Sequence, residues 1–402
     1  MKVLQLCLRI PYPAIDGGNI AMLNTAMALH AAGCDVSMLA VNTRKHYIEH
    51  TKLPEFFFKL FDFRSVYIDN SVTISGAIKN LFSSRSYNIE RFISKNFENE
   101  LIRLLNEQSF DVVLVESLFM LPYLHTIRNY SKAKVVLHAH NVEHIIWHRL
   151  RKSESNFLRR IYLTLLANRL EKYEKAICKK LDAIIALTPD DERLFSQFTK
   201  GIKLFSSPIG LDVAKYINNN SENNPVTTVR LFHLGSMDWM PNLEAVDWFI
   251  KNVWQQLSAK FPDIELHLAG NRMPDYIFKQ ADAQLKVYGR IEIAKEFTAD
   301  KNIMIVPLLS GSGMRIKIIE GMASGKCIVS TTIGAEGISY TDGVNIFIAD
   351  TPQQFIEKIS MLYSNKSLVE QTGQNAYQHA LAHYDINITG KQMKDMLSEI
   401  SQ

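Results

Sequence analysis

The sequence predicts an α/β protein made of two doubly wound domains, and three observations carry that prediction. Short continuous apolar runs, such as Phe110–Val115 (FDVVLV) and Leu181–Leu187 (LDAIIAL), read as strands buried on both faces of a parallel sheet. Such runs alternate with helical patterns in two separate series, the signature of βα units. Between the series, Tyr216–Val226 (YINNNSENNPV) is polar and asparagine-rich and reads as a linker. At 402 residues the chain has room for two domains of ordinary size. The expected division is residues 1–215, a linker at 216–227, residues 228–382, and a last helix at 383–402 packing back toward the first domain.

Composition narrows the class. A hydrophobic content of 47% supplies a sizeable core. A net charge of +4 is too small to indicate nucleic-acid binding. The four cysteines, Cys7, Cys34, Cys178 and Cys327, are scattered without a C-x-x-C pair, which argues against a disulfide framework or a zinc site. Val3–Leu8 is short and ends at Arg9 and Pro11, so it reads as a strand and not as a signal peptide. No apolar run approaches bilayer length, and a cytoplasmic protein is expected, with peripheral attachment to the inner face of the plasma membrane as an option.

The first series opens with a strand at Lys2–Leu8, the loop Ile10–Gly18 (IPYPAIDGG) and a helix from Asn19 to Ala32. Gly17 and Gly18 thus sit at a helix N-terminus, which is either an anion site or a plain βα turn. Strands follow at Asp35–Val41 and Arg64–Ile68, and a mostly helical stretch covers Ile74–Glu107. Phe110–Val115 delivers Glu116 and Ser117 to the strand end that faces the ligand crevice in open α/β sheets. Glu116 there is a site candidate or a cap for the next helix. Lys134–His138 runs into HAHNVEH, with His138, His140, Asn141, Glu143 and His144 in seven residues. Metal ligation is disfavoured because the histidines span a strand end and a helix start with no Cys or Asp cluster. A polar constellation facing the crevice is the better reading.

From Val142 the chain reads as one broken or two successive long helices, with a weak point near Ser153–Asn156. Basic residues between 149 and 180, interleaved with Leu and Ile, are either a solvated face or a patch that docks on anionic lipid or a lipid-linked phosphate. A short strand at Ile202–Phe205 closes the series. The second series has strands at Val229–Leu234, Ile264–Ala269, Leu285–Tyr288, Ile303–Val306, Cys327–Thr331 and Val344–Ala349, then three helices. A helix after the first of these enters through Pro241 and Asn242.

The most informative stretch is Val306–Glu336. After Pro307, Ser310-Gly311-Ser312-Gly313 forms a small-residue loop, and a helix is expected from Met314 to Ala323 with Arg315 and Lys317 in its first turn. Unpaired helix amides, the helix dipole and two cations all favour a phosphate. Glu320, three residues after Lys317, suits sugar hydroxyls instead, so the pair suggests a nucleotide or nucleotide sugar. The plain alternative is a turn followed by a Lys317–Glu320 surface pair. GSGMRIK lacks the third glycine of G-x-G-x-x-G, and Gly325-Lys326 lacks the other elements of a Walker loop.

Taken with FDVVLVES, HNVE, SSPIGLD, HLGSMDWMPN and the Gly289-Arg290 pair, GSGMRIKIIEGMASGKCIVST resembles the family-4 retaining glycosyltransferases of the GT-B fold, over essentially the whole chain. The resemblance implies two Rossmann-like domains facing a cleft, and a bacterial sugar transferase of the polysaccharide or lipopolysaccharide type. The transfer would be hexosyl, from a UDP- or GDP-linked nucleotide-sugar donor to a saccharide or lipid-linked acceptor, without metal or other cofactor and without nucleic acid. It implies donor contacts from Gly17, Gly18, Gly235, Ser236, Gly289, Arg290, Ser312, Gly313, Met314, Arg315, Lys317 and Glu320, with Glu320 holding ribose hydroxyls. Asn19, Glu116, Asn141 and Glu143 would lie on the acceptor side, and His140 near the reacting sugar. With Glu116, Arg315 and Lys317 it makes up the expected catalytic set. The chain departs from the family at two places. Ser312 replaces the first acid of E-x7-E, and HLGSMDWMPN lacks the usual Arg and Lys, so Arg315 and Lys317 are expected to neutralise the diphosphate. Glu116 is the expected acceptor base. The rival readings are a sugar-nucleotide epimerase or phosphorylase of the same fold, and a catalytically silent binding subunit of a polysaccharide assembly complex.

Overall fold

The computed structural model describes the chain except residues 15, 72, 74–79, 81–85, 217–227 and 312, and the side chain of Ser153. Most of the expected linker, part of the expected Ile74–Glu107 helical stretch, and Ser312 therefore lie outside the described residues. The chain forms two compact units, Met1–Gly210 with Ile386–Gln402, and Leu211–Asp385.

In the first unit the strands are β1 (Lys2–Cys7), β2 (Asp35–Thr43), β3 (Asp62–Ile68), β4 (Val112–Val115), β5 (Lys134–Ala139), β6 (Ala183–Ala186) and β7 (Lys203–Ser206). They form one sheet in the order β3-β2-β1-β4-β5-β6-β7. Every pairing is parallel. In the second unit, β8 (Arg230–Leu234), β9 (Glu265–Ala269), β10 (Leu285–Val287), β11 (Ile303–Val306), β12 (Cys327–Ser330) and β13 (Phe347–Ile348) form a parallel sheet in the order β10-β9-β8-β11-β12-β13. Strand order reverses between β1 and β4 in one unit and between β8 and β11 in the other. A doubly wound sheet opens its crevice at such a reversal, beyond the carboxyl ends of the strands. Strands such as β4 (VVLV) are fully buried, because flanking helices cover both faces of each sheet.

The last helix, Ile386–Ser401, belongs to the first unit. Its Met393, Leu397 and Ile400 enter the core that contains Leu29 and Val36. A Cβ on Gly390 would stand 2.2 Å from the Ala28 carbonyl oxygen, so this glycine sets how closely the helix approaches helix Gly17–Ala31. Lys394 Nζ donates to the Ala32 carbonyl at 2.7 Å, neutralising the C-terminal end of that helix.

The basic segment is two helices, Glu143–Ser153 and Phe157–Cys178, separated at residues 154–156, where the weak point was expected. Two other boundaries differ from expectation. The expected strand Val344–Ala349 contracts to Phe347–Ile348, because Gly343 at φ 76° makes a turn closed by its amide on Ile346. The helix expected from Met314 begins at Ile316, because Gly311 and Gly313 take φ of 127° and 81° and leave Arg315 at the cap position.

Candidate functional site

In the second unit, the loops after β8 and β11 meet at the strand reversal. Gly235 is confined there. A Cβ on it would fall 2.7 Å from the Asn242 side chain and 3.0 Å from Lys317 Nζ. Asn242 bridges the loop. Its Nδ2 donates to the Ser236 carbonyl at 2.9 Å, and its Oδ1 accepts from Lys317 Nζ at 2.7 Å. Burial and the neighbouring Arg315 lower the Lys317 ammonium to about 7, against the opposing pull of Glu320. His233 beneath is lowered to about 3 by its own burial and by Lys317, while its Nδ1–H on the Ile305 carbonyl resists.

Arg315 is buried at the start of helix Ile316–Ala323. Its Nη1 donates to the Gly313 carbonyl at 2.8 Å, and its guanidinium carbon lies 5.1 Å from the centre of the Trp239 ring. A Cβ on Gly311 would meet both Arg315 and Trp239. The guanidinium is therefore fixed by the loop and an aromatic face. Glu320 does not pair with Lys317. Its Oε1 accepts the Tyr216 hydroxyl at 3.0 Å. Burial raises this carboxyl, and the Tyr216 hydrogen bond and Lys317 oppose the rise. Gly289 is tied to the same edge, since its carbonyl accepts the Gly270 amide at 3.1 Å; Arg290 is exposed.

In the first unit, a cavity of about 100 Å3 lies at the other strand reversal, lined among others by Arg9, Gly18, Ser117, His140, Asn141 and Glu143. Glu116 is also in its lining and is fully buried. Its Oε1 accepts from Gln5 Nε2 at 2.5 Å, and its Oε2 accepts from His138 Nδ1 and His140 Nε2, each at 2.8 Å. Burial alone would raise this carboxyl, but the two histidines overcome it and hold it at about 2. This buried carboxylate thus has both oxygens engaged, and its hydrogen bond holds the His140 ring at the cavity. The ligand atoms of Glu116, His138 and His140 lie within 4.8 Å of one another, a spacing that also suits a metal. The 2.8 Å contacts are those of N–H donors on a carboxylate, so we assign hydrogen bonds.

His144 leaves this cluster. Its Nδ1 bonds Glu174 at 2.6 Å, and Glu174 also accepts the amides of Glu143 and His144. Burial, reinforced by Glu174, raises the Glu143 carboxyl to about 8. Gly17 and Gly18 open helix Gly17–Ala31. Asp16 caps that helix by accepting the Asn19 amide at 3.1 Å and forms an ion pair with Arg9, so the chain's own carboxylate holds the helix end. Asn19 is buried with its Nδ2 on the Pro13 carbonyl.

The residues that sequence reasoning missed are Asn242, Trp239, Tyr216 and Gln5. Each contacts a predicted residue across a long stretch of sequence. Only Asn242 and Trp239, inside the HLGSMDWMPN segment, carried a local signal.

Comparison with known proteins follows the same division. Residues 15–203 match the family model described as Glycosyltransferase Family 4, and residues 228–365 match Glycosyl transferases group 1. An uncharacterized 44.6 kDa protein in the cps region of Klebsiella pneumoniae is 25% identical over 400 residues, spanning 96% of each chain. Among solved structures, the sucrose-phosphate synthase of Thermosynechococcus elongatus superposes with a TM-score of 0.71 at 15% identity, covering 100% of this chain and 99% of that one. HepE of Anabaena, solved in complex with UDP, superposes with a TM-score of 0.67 at 14% identity, covering 99% and 100%.

Proposed function

Because the chain is a GT-B glycosyltransferase, a Glycosyltransferase Family 4 domain followed by a Glycosyl transferases group 1 domain, we propose that it moves a hexosyl unit from a nucleotide-sugar donor to a saccharide or lipid-linked acceptor, with retention of configuration. The donor is UDP- or GDP-linked, and the product belongs to a cell-surface polysaccharide. The cps-region relative supports that setting, with cps read as capsular polysaccharide.

One observation carries the donor reading. Lys317 is a buried ammonium whose hydrogen-bond partner is a neutral amide, next to a second fixed cation and a helix N-terminus. Burying a charge is costly unless an opposite charge meets it. A diphosphate supplies that charge, and the repulsion between Lys317 and Arg315 then becomes attraction. When the bond to the sugar breaks, negative charge grows on the departing nucleoside diphosphate, where fixed cations and amides stabilise it without reorganisation. Glu320 has one oxygen on Tyr216, and the other has no protein donor among the described residues, which suits a ribose hydroxyl. No metal is needed in this scheme, since Lys317 and Arg315 do the neutralising. In the first unit, Glu116 fixes the His140 ring at the cavity that we assign to the acceptor and the reacting sugar.

A thermal-shift scan against UDP, GDP, ADP and their common sugars tests the donor reading. At a hundred times its dissociation constant, a ligand stabilises by about 2.7 kcal/mol. The expected result is a shift with a uridine or guanosine nucleotide that Glu320→Ala weakens. No shift with any nucleotide overturns the reading and favours a silent subunit. A donor-only incubation separates an epimerase, which would change the sugar without an acceptor.

A further inference from the structure

The helical hairpin Glu143–Ser153 and Phe157–Cys178 ends in a tip that combines exposed apolar side chains with cations. Four large apolar side chains are exposed there: Leu150 at 48%, Phe157 at 63%, Leu158 at 75% and Ile161 at 53%. The buried part of the second helix begins only at Leu166, so its first two turns project beyond the core. The cations Arg149, Arg151, Lys152, Arg159 and Arg160 surround these side chains, with Glu154 the one acid between residues 149 and 160. Setting aside those twelve residues leaves 40 basic and 40 acidic residues in the other 390, so the net charge of +4 resides in this tip. The N-terminus of helix Phe157–Cys178 adds its positive dipole end at the same place, with no acidic residue in its first turn.

We propose that this tip seats in an anionic lipid bilayer, with Phe157, Leu158, Ile161 and Leu150 entering the interface and the five cations on lipid headgroups. Apolar side chains ringed by Arg and Lys match such a surface in both depth and charge. A solvent-facing cationic helix would gain nothing from exposing Phe157 and Leu158 side by side. The hairpin is braced at its root. Glu174 holds the first amides of helix Glu143–Ser153, and His148 bonds Glu171 at 2.9 Å. That root carries Glu143, which lines the cavity of the first unit, about 16 Å along an eleven-residue helix from the tip. The inference is independent of the sugar transferred.

The test is cosedimentation of the full chain with vesicles of phosphatidylcholine, alone or mixed with phosphatidylglycerol. The wild type is expected on the anionic vesicles only, with binding that weakens as salt rises. Arg159→Gln with Arg160→Gln should weaken partitioning by about fivefold per cation removed. Phe157→Ser with Leu158→Ser, which leaves the charge unchanged, should weaken it by on the order of tenfold. Both double variants should melt at the wild-type temperature, since these side chains are largely exposed. Equal binding to neutral vesicles, or wild-type binding by the Phe157/Leu158 variant, overturns the proposal. A dimer in vesicle-free solution that this variant makes monomeric would overturn it in favour of a second copy of the chain.

Discussion

At Lys317, burial and charge act in opposite directions, and the consequences have opposite signs for stability and for binding. The amine titrates at about 7 in the folded protein against an ordinary 10.5. Between those values the folded state holds fewer protons than the unfolded state, so this group's contribution to stability rises with pH there and is lost as pH falls through about 7. Nucleotide binding runs the other way. A diphosphate at the proposed site would bind the ammonium, so above about pH 7 binding would take up a proton, and affinity should fall by up to tenfold per pH unit. Removing the charge in Lys317→Met should lower kcat/KM by about a hundredfold to a thousandfold and flatten that pH dependence. Glu116 gives the complementary case. Its carboxyl is depressed to about 2, so its contribution is complete above the ordinary carboxylate range and lost as pH falls toward 2. Denaturant titrations at acid and neutral pH should show this loss in the wild type and not in Glu116→Gln. The same variant should lose activity through His140, with the pH–rate profile displaced and not merely scaled down.

Among the elements, two glycines place helices and loops by close approach. Gly390→Ala would press a methyl onto the Ala28 carbonyl and should cost about 1–3 kcal/mol, read as a lower melting temperature with nucleotide affinity unchanged. A Cβ on Gly270 would stand 1.8 Å from the Gly235 carbonyl oxygen, so Gly270→Ala should displace the loop beside Lys317 and weaken nucleotide binding as well as stability. This is also the scale at which the sequence was most and least readable. Buried parallel strands such as Val112–Val115 and Ile303–Val306 announce themselves as apolar runs, and the break in the basic helices is marked by Ser153–Asn156. The start of helix Ile316–Ala323 was misplaced because two positive-φ glycines delay it, and periodicity does not register such a delay. Lys317–Glu320 spacing left a surface pair open as the plain alternative to a nucleotide-sugar site. Long-range partners, Asn242 and Tyr216, divide these two residues between them. The Glu116–His138–His140 cluster was half legible, because adjacent strand ends converge in a parallel sheet, yet nothing local says which nitrogen meets which oxygen.

Across the whole molecule, the first unit is closed by residues that lie last in the chain. Met393, Leu397 and Ile400 pack in its core, so a chain ending at Asp385 should lose stability in the first unit while the second keeps its own core and its nucleotide response. Calorimetry of the truncated and full-length chains with nucleotide present resolves this. The proposed transfer depends on a diphosphate site held by Lys317. The most direct measurement is isothermal titration of UDP and GDP into the wild type and Lys317→Met at pH 6.5 and 8.5. The account predicts binding of one nucleotide to the wild type, weaker at the higher pH and accompanied by uptake of close to one proton, and a loss of both affinity and proton uptake in the variant. Equal affinity of wild type and variant, or binding indifferent to pH, would contradict it.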